Sequence, residues 1–175
     1  TKIQLKAAGG VDVKTPLSSL RWNGQLTELS SSGKIPIRLM SPTKVSISPE
    51  QASLGQTTFS ISDGHIHIDQ LQWTPQDWKT RGNFTGIALL PGEHPELKQP
   101  FLHLGGHWDF TSNTQLTGNL HIHREKGDWY LPGEVPQPIG LEIMQLKLAA
   151  RDEKITGKFE LISQYIGTAD AHLTL

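Results

Sequence analysis

Residues 102–123 read LHLGGHWDFTSNTQLTGNLHIH. Leu102, Leu104, Trp108 and Phe110 alternate with His103, His107 and Asp109; Ser112-Asn113 then supplies a reversal, and Leu116, Leu120 and Ile122 alternate with Thr117, Asn119, His121 and His123. Successive side chains of a strand point to opposite faces, so each arm is a strand with one apolar and one polar side. Joined by a short turn, the arms form an antiparallel hairpin whose two apolar sides coincide.

Outward from this hairpin the same period recurs. Toward the N-terminus it covers Ile3 to Val13, Leu20 to Leu26, Ile35 to Leu39, Val45 with Ile47, Phe59 with Ile61, Ile66 with Ile68, and Trp78 to Phe84. Toward the C-terminus it covers Met144 to Leu148, Ile155 to Leu161 and Ala169 to Leu175. Ser32-Gly33, Ser41-Pro42, Asp63-Gly64, Pro91-Gly92, Lys126-Gly127 and Pro132-Gly133 separate the runs with residues that supply turn dihedrals. The expected fold is all-β, an antiparallel meander of about 12 strands. Helix is expected at most near Ser48-Pro49-Glu50-Gln51, where Ser48 can cap one turn, and Glu93 to Gln99 reads as a loop between prolines.

A weak repeat of polar, Gly, polar, apolar occurs at Asn23-Gly24-Gln25-Leu26, Arg81-Gly82-Asn83-Phe84, Thr117-Gly118-Asn119-Leu120 and Thr156-Gly157-Lys158-Phe159. Each Gly shares the parity of the apolar residue that follows. It therefore sits on the apolar face, where a missing side chain bends the strand or makes room for a bulky neighbour.

Composition narrows the function classes. The 175 residues carry 16 basic and 17 acidic side chains, so no electrostatic footprint points to nucleic acid. There is no cysteine, which removes disulfides, thiol catalysis and cysteine-based zinc sites. No apolar run approaches the ~20 residues of a membrane helix. Alternation begins at Ile3 and persists to Leu175, and Thr1 is not an initiator methionine. Residues 1–175 are therefore read as a single segment of a longer protein, with any anchor or targeting signal outside it.

Three constellations invite a chemical reading. His65, His67, His121 and His123 form two i, i+2 pairs, a spacing that can chelate a transition metal if a third ligand arrives from a neighbouring strand. Their parity opposes that of Ile66, Ile68, Leu120 and Ile122, as that of His103 and His107 opposes Leu102 and Trp108; all six are expected to face solvent, and no metal site is assigned. Among Asp63, Asp69, Asp77, Asp109, Glu125 and Asp128 no spacing selects a catalytic pair, and no nucleophile elbow or phosphate-binding glycine loop occurs. Neither an enzyme activity nor a cofactor is expected. Each tryptophan, Trp129 with Leu131 included, shares parity with apolar neighbours and reads as inward-facing, not as a sugar-stacking platform.

The apolar face predicted in this way comprises Trp22 and Leu26, then Ile37, Leu39 and Ile61, then Trp73, Trp78 and Phe84. It continues through Leu104, Trp108 and Phe110, Leu120 and Ile122, Leu146 and Leu148, and ends with Phe159 and Leu161. Periodicity leaves two arrangements open: a self-contained β-sandwich whose inward residues touch one another, and an open trough whose lining meets a ligand.

From Pro49 onward the chain resembles the proteobacterial TamB family, the inner-membrane-anchored component of the translocation and assembly module, within the AsmA/TamB-like bridge-type lipid-transport proteins. The resemblance rests on Ser48-Pro49-Glu50 with Leu54-Gly55, Asp63-Gly64, Leu71-Gln72-Trp73, Thr80 to Gly86, Gly106 to Phe110, Leu116 to Leu120, Arg124 to Asp128 and Gly140-Leu141, in that order. Ile87-Ala88-Leu89 departs from it, since related sequences often carry a Leu-Pro-Leu run there. Residues 1–47 contribute only the strand pattern. The resemblance implies a taco-shaped or U-shaped sheet with an apolar groove, lined by the residues just named. It further implies a periplasmic conduit supporting outer-membrane biogenesis, barrel assembly and autotransporter secretion. The cargo would be phospholipid acyl chains or unfolded barrel strands, and the partner a TamA-like outer-membrane barrel. No catalytic residues carry over.

Overall fold

The computed structural model describes residues 2–12, 20–33, 35–89, 102–131 and 135–175. The first strands are β1 (Lys2–Asp12), β2 (Arg21–Ser32), β3 (Ile37–Leu39), β4 (Thr43–Ser48), β5 (Gln51–Leu54), β6 (Thr57–Ile61) and β7 (Gly64–Trp73). They are followed by β8 (Trp78–Leu89), β9 (Leu102–Ser112), β10 (Leu116–Gly127), β11 (Tyr130–Leu131), β12 (Gln137–Pro138), β13 (Leu141–Arg151), β14 (Lys154–Ser163) and β15 (Gly167–Thr174). Thirteen of them form one curved antiparallel sheet, and β11 with β12 forms a two-stranded piece. No helix occurs among the described residues.

The pairing is simpler than the strand count suggests. β3 and β4 both lie antiparallel to β2, at Ser30 and Ser31 and at Trp22 to Leu26 respectively, so together they are one strand position interrupted at Met40-Ser41-Pro42. In the same way β5 and β6 are one position interrupted at Gly55-Gln56, with β7 pairing both. The sheet is thus a plain up-and-down meander of eleven positions, each strand lying beside its neighbour in sequence. The only excursion among the described residues is 128–140, between β10 and β13.

The two interruptions line up with a register shift at Lys6/Ala7 of β1 against β2 and another at Ile68/Gln70 of β7. A crease therefore crosses the N-terminal half of the sheet. Along it the ladder is replaced by single bonds: Met40 N–H donates to the Thr58 carbonyl at 2.9 Å, Gly55 N–H to Lys44 at 2.8 Å and the Thr43 hydroxyl to Gln56 at 3.2 Å. Bulges add local twist and bend a strand, which is how such a line curves a sheet. Further shifts at Phe84/Ile87, Arg124/Lys126 and Leu141/Ile143 bend the opposite ends of β8, β10 and β13. Gly86, at φ +65°, sits in the first of these. The chain bulges there and continues as strand through Ile87, Ala88 and Leu89.

One expectation is overturned. Ser48-Pro49-Glu50-Gln51 is not a helical turn but the tip of a hairpin, with Ser48 opposite Gln51, Ile47 opposite Ala52 and Val45 opposite Leu54. Pro49 presets φ for a tight turn as readily as for a helix start, and here Ala52 and Leu54 decide the matter by pairing with apolar residues of β4. The Glu93 to Gln99 loop, the turns at Pro91-Gly92 and Pro132-Gly133, and Val13 lie outside the described residues.

Among the described residues the fully buried apolar side chains are few: Leu39, Leu102, Ile139, Leu141 and Ala150. Leu102, Ile139 and Leu141 form the one compact cluster, flanked by Leu104, Met144 and Leu161. Total accessible surface is 11736 Å². A compact monomer of this mass exposes about 8,500 Å². A single curved layer leaves more of its surface uncovered than a two-layer fold does.

Candidate functional site: one continuous apolar face

Directly paired residues of an antiparallel ladder lie on the same face, so the register assigns a face to every position. All seventeen residues predicted to line the apolar side fall on one face of the sheet. A single row runs from Phe159 through Leu146 and Ile122, past Gly106, to Phe84, Ile66, Phe59 and Leu39, crossing eight strand positions. The adjoining row contains Leu148, Leu120, Trp108, Gly82 and Ile68. Leu104 and Leu161 lie beyond the first row, as do Ile61 and its partner Ile37. Phe110, Trp78, Trp73 and Trp22 lie toward the opposite margin, and Leu26, opposite Thr43, lies at the crease. Leu39 is buried; Trp73 and Trp78 are exposed by 46% and 36%; the other fourteen are half-buried.

The glycine repeat acquires its meaning here. Gly82 lies directly opposite Trp108, Gly106 opposite Phe84, Gly118 opposite Phe110 and Gly157 opposite Leu148. A Cβ added to Gly82 would stand 2.5 Å from Cζ2 of Trp108, and one added to Gly106 2.7 Å from Cζ of Phe84. Large side chains thus lie down across bare backbone of the neighbouring strand. Trp108 is fixed further by donating from Nε1 to the Thr80 hydroxyl at 2.9 Å, and its ring stacks on Phe84 with centroids 6.4 Å apart. The result is a lining that is apolar, low and continuous.

Eleven strand positions spaced ~4.8 Å apart give a contour of ~50 Å, and strands of ten residues or so give a width of ~33 Å.

One end of the face is capped. The chain leaves β10 at Gly127, passes through β11 and β12, and returns at Leu141, placing Ile139 against Leu102 and Leu141. Asp128 anchors the excursion: its carboxylate accepts from the backbone N–H of Trp129 (2.7 Å), Gly140 (3.0 Å) and Leu141 (3.0 Å). Ser163 donates its hydroxyl to the Ile139 carbonyl. Arg124, paired with Leu104 on this face, spends its guanidinium on the carbonyls of Gly127 (2.8 Å) and Glu142 (3.2 Å). The sequence reading missed this cap because no period marks it; the run Gly127-Asp128 followed by Gly140-Leu141 was its only trace. Trp129 and Leu131, expected to face inward, are instead exposed, because they belong to the excursion and not to the sheet.

The other face is polar. His65, His67, His103, His107, His121 and His123 all lie on it, as parity required. They are not uniformly solvated, however. His107 and His121 meet edge-on at 5.4 Å and His121 and His123 at 5.3 Å, and this packing leaves His121 Nε2 and His123 Nδ1 buried without a hydrogen-bond partner. His67 bonds the Thr58 hydroxyl through Nδ1 at 2.8 Å and reaches Asp69 at 3.2 Å. Asp109 pairs with Arg81 at 2.8 Å, which makes it a structural charge of the polar face. Among the described residues no group of three His, Asp or Glu side chains is placed to hold a metal ion. No helix there is long and apolar enough to cross a membrane.

No family model, curated protein or solved structure matches this chain.

Proposed function

We propose that this chain is a segment of a hydrophobic conduit whose apolar sheet face shields acyl chains, or unfolded apolar strands, from water. One observation carries the reading: the apolar face is continuous across the meander yet half-exposed, and among the described residues its compact cluster is confined to one end. A closed sandwich buries the inward side chains of both layers, and here Trp73, Trp78, Leu71 and Ile47 stay exposed. Keeping a ~16-carbon acyl chain out of water is worth about 12 kcal/mol at ~0.8 per methylene. A low lining of Leu, Ile, Phe and Trp meets that need along its length without gripping one lipid. The resemblance to the TamB family extends the proposal to a periplasmic, inner-membrane-anchored protein acting in outer-membrane biogenesis with a TamA-like barrel.

Photo-crosslinkers placed at Trp108 and at Asp109 test it, since the two positions are adjacent in sequence and on opposite faces. Phospholipid captured from cells at Trp108 and not at Asp109 is the expected result. Equal capture at both positions, together with a purified chain that carries no phospholipid in a native mass spectrum, overturns the lipid reading.

A further inference from the structure

The polar face holds a feature that shielding apolar cargo does not use. Across β15, β14, β13, β10 and β9 the register aligns His172, Lys158, Lys147, His121 and His107 in one row. Lys147 stands directly opposite Lys158, an arrangement that destabilises a ladder unless something offsets it. Neither ammonium forms an ion pair among the described residues. Beside them lies an open hollow of about 510 Å³, lined by this row and by Asn119, Ala149 and Thr156 of the next. The buried, unpartnered Nε2 of His121 lies in the same row.

Among the described residues no nearby acid forms an ion pair with either lysine. Asp109 is paired with Arg81 instead. Glu160 and Asp170 face each other one row away, with Glu160 accepting from the amide of Gln145 at 2.5 Å.

We propose that this hollow binds a phosphate-type oxyanion, held by Lys147 and Lys158 and, once protonated, by His107, His121 and His172. Two opposed ammonium groups supply the charge and the point donors that a tetrahedral dianion takes, and the imidazoles add directed N–H donors on one side. Burial, then the neighbouring His123, Lys147 and His107, hold His121 below the ordinary histidine range, against a hydrogen bond donated by the ring to the Gln145 amide oxygen, which raises it. A bound dianion reverses the repulsive part of that balance. Affinity therefore rises as pH falls, and the anion in turn raises the His121 pKa, as linkage requires.

Sulfate is the probe of choice because it stays a dianion across this range, so any pH dependence belongs to the protein. Titrated at constant ionic strength, sulfate should shift the ring resonances of His107, His121 and His172 saturably. It should bind about fivefold or more tightly at about pH 6 than at about pH 8. Lys147→Gln combined with Lys158→Gln should weaken binding about tenfold or more. The melting temperature of that variant should be unchanged or higher, since an opposed like-charge pair is removed, and lost binding then cannot be lost folding. His65→Gln, away from the row, should leave binding as it was. The absence of saturable shifts, or a double variant that binds as tightly as the parent, overturns the proposal. Vesicles of phosphatidylcholine with and without phosphatidic acid identify the source: capture only by the latter assigns the oxyanion to a lipid headgroup. Binding of sulfate and inorganic phosphate without vesicle capture assigns it to a free anion.

Discussion

The two margins of the apolar face are built from the same kind of residue and treated in opposite ways. At the capped margin Leu102 is completely buried, and Leu141 and the excursion's own Ile139 are 3% exposed, with backbone N–H groups of Trp129, Gly140 and Leu141 gathered by one carboxylate. At the far margin Trp73 and Trp78 sit side by side on adjacent strands, open to solvent, with Ile47 and Val11 equally uncovered. Burial stabilises in proportion to the area removed from water. Fold stability is therefore concentrated at one margin, and the other leaves its apolar side chains open to solvent.

The sharpest way to break this comparison is Leu102→Ala. Removing a completely buried Leu should cost about 3 kcal/mol, read as a lowered urea midpoint. A loss under about 1 kcal/mol would mean that the cap is not where stability resides.

Between the margins the glycine–ring contacts should be nearly as sensitive. In Gly82→Ala the new methyl meets the Trp108 ring and the backbone of β7, and overpacking of this kind costs about 1–3 kcal/mol. Gly10→Ala, where a Cβ meets nothing within 4 Å, should be neutral or slightly stabilising. Equal effects at the two glycines would show that backbone entropy, and not the ring, sets the requirement.

At the open margin Trp73→Ala should change stability by less than about 1 kcal/mol while reducing phospholipid capture. A large loss of stability there would make the two margins alike.

The smallest effect expected is on the polar face. His121 titrates lower when folded than when unfolded, so its contribution is fully present above the unfolded value of about 6.5. It fades as pH falls from there through the folded value. The melting temperature should accordingly decline on acidification over that window, and His121→Gln should flatten the decline. An unchanged slope would remove the histidine cluster from the pH response.

What the chain discloses before folding follows from the physics of its parts. Period-two alternation is a local property, so every predicted lining residue landed on one face, even though five register shifts intervene between strands. The shifts themselves left no mark: Asp69 and Glu125 look like any other polar residue of a strand. Pairing partners are non-local. Gly82 announced an open space on the apolar face, yet only the register reveals that Trp108 fills it. Ser48-Pro49-Glu50-Gln51 misled because a proline-led turn and a helix start share their first dihedrals, and four residues of following strand are too few to show a period. The cap was illegible because its residues obey no period at all.

Because every strand lies beside its neighbour in sequence, the sheet behaves as a one-dimensional array, in which stability is close to a sum of terms between adjacent units. Such an array can grow or shrink at its edges without rewriting its middle. Low contact order lets it zip up strand by strand as the chain emerges, long before distant segments exist. Length then becomes the property most open to change over evolutionary time: adding a hairpin lengthens the apolar path by about two strand spacings, roughly 10 Å, and asks nothing new of the strands already present.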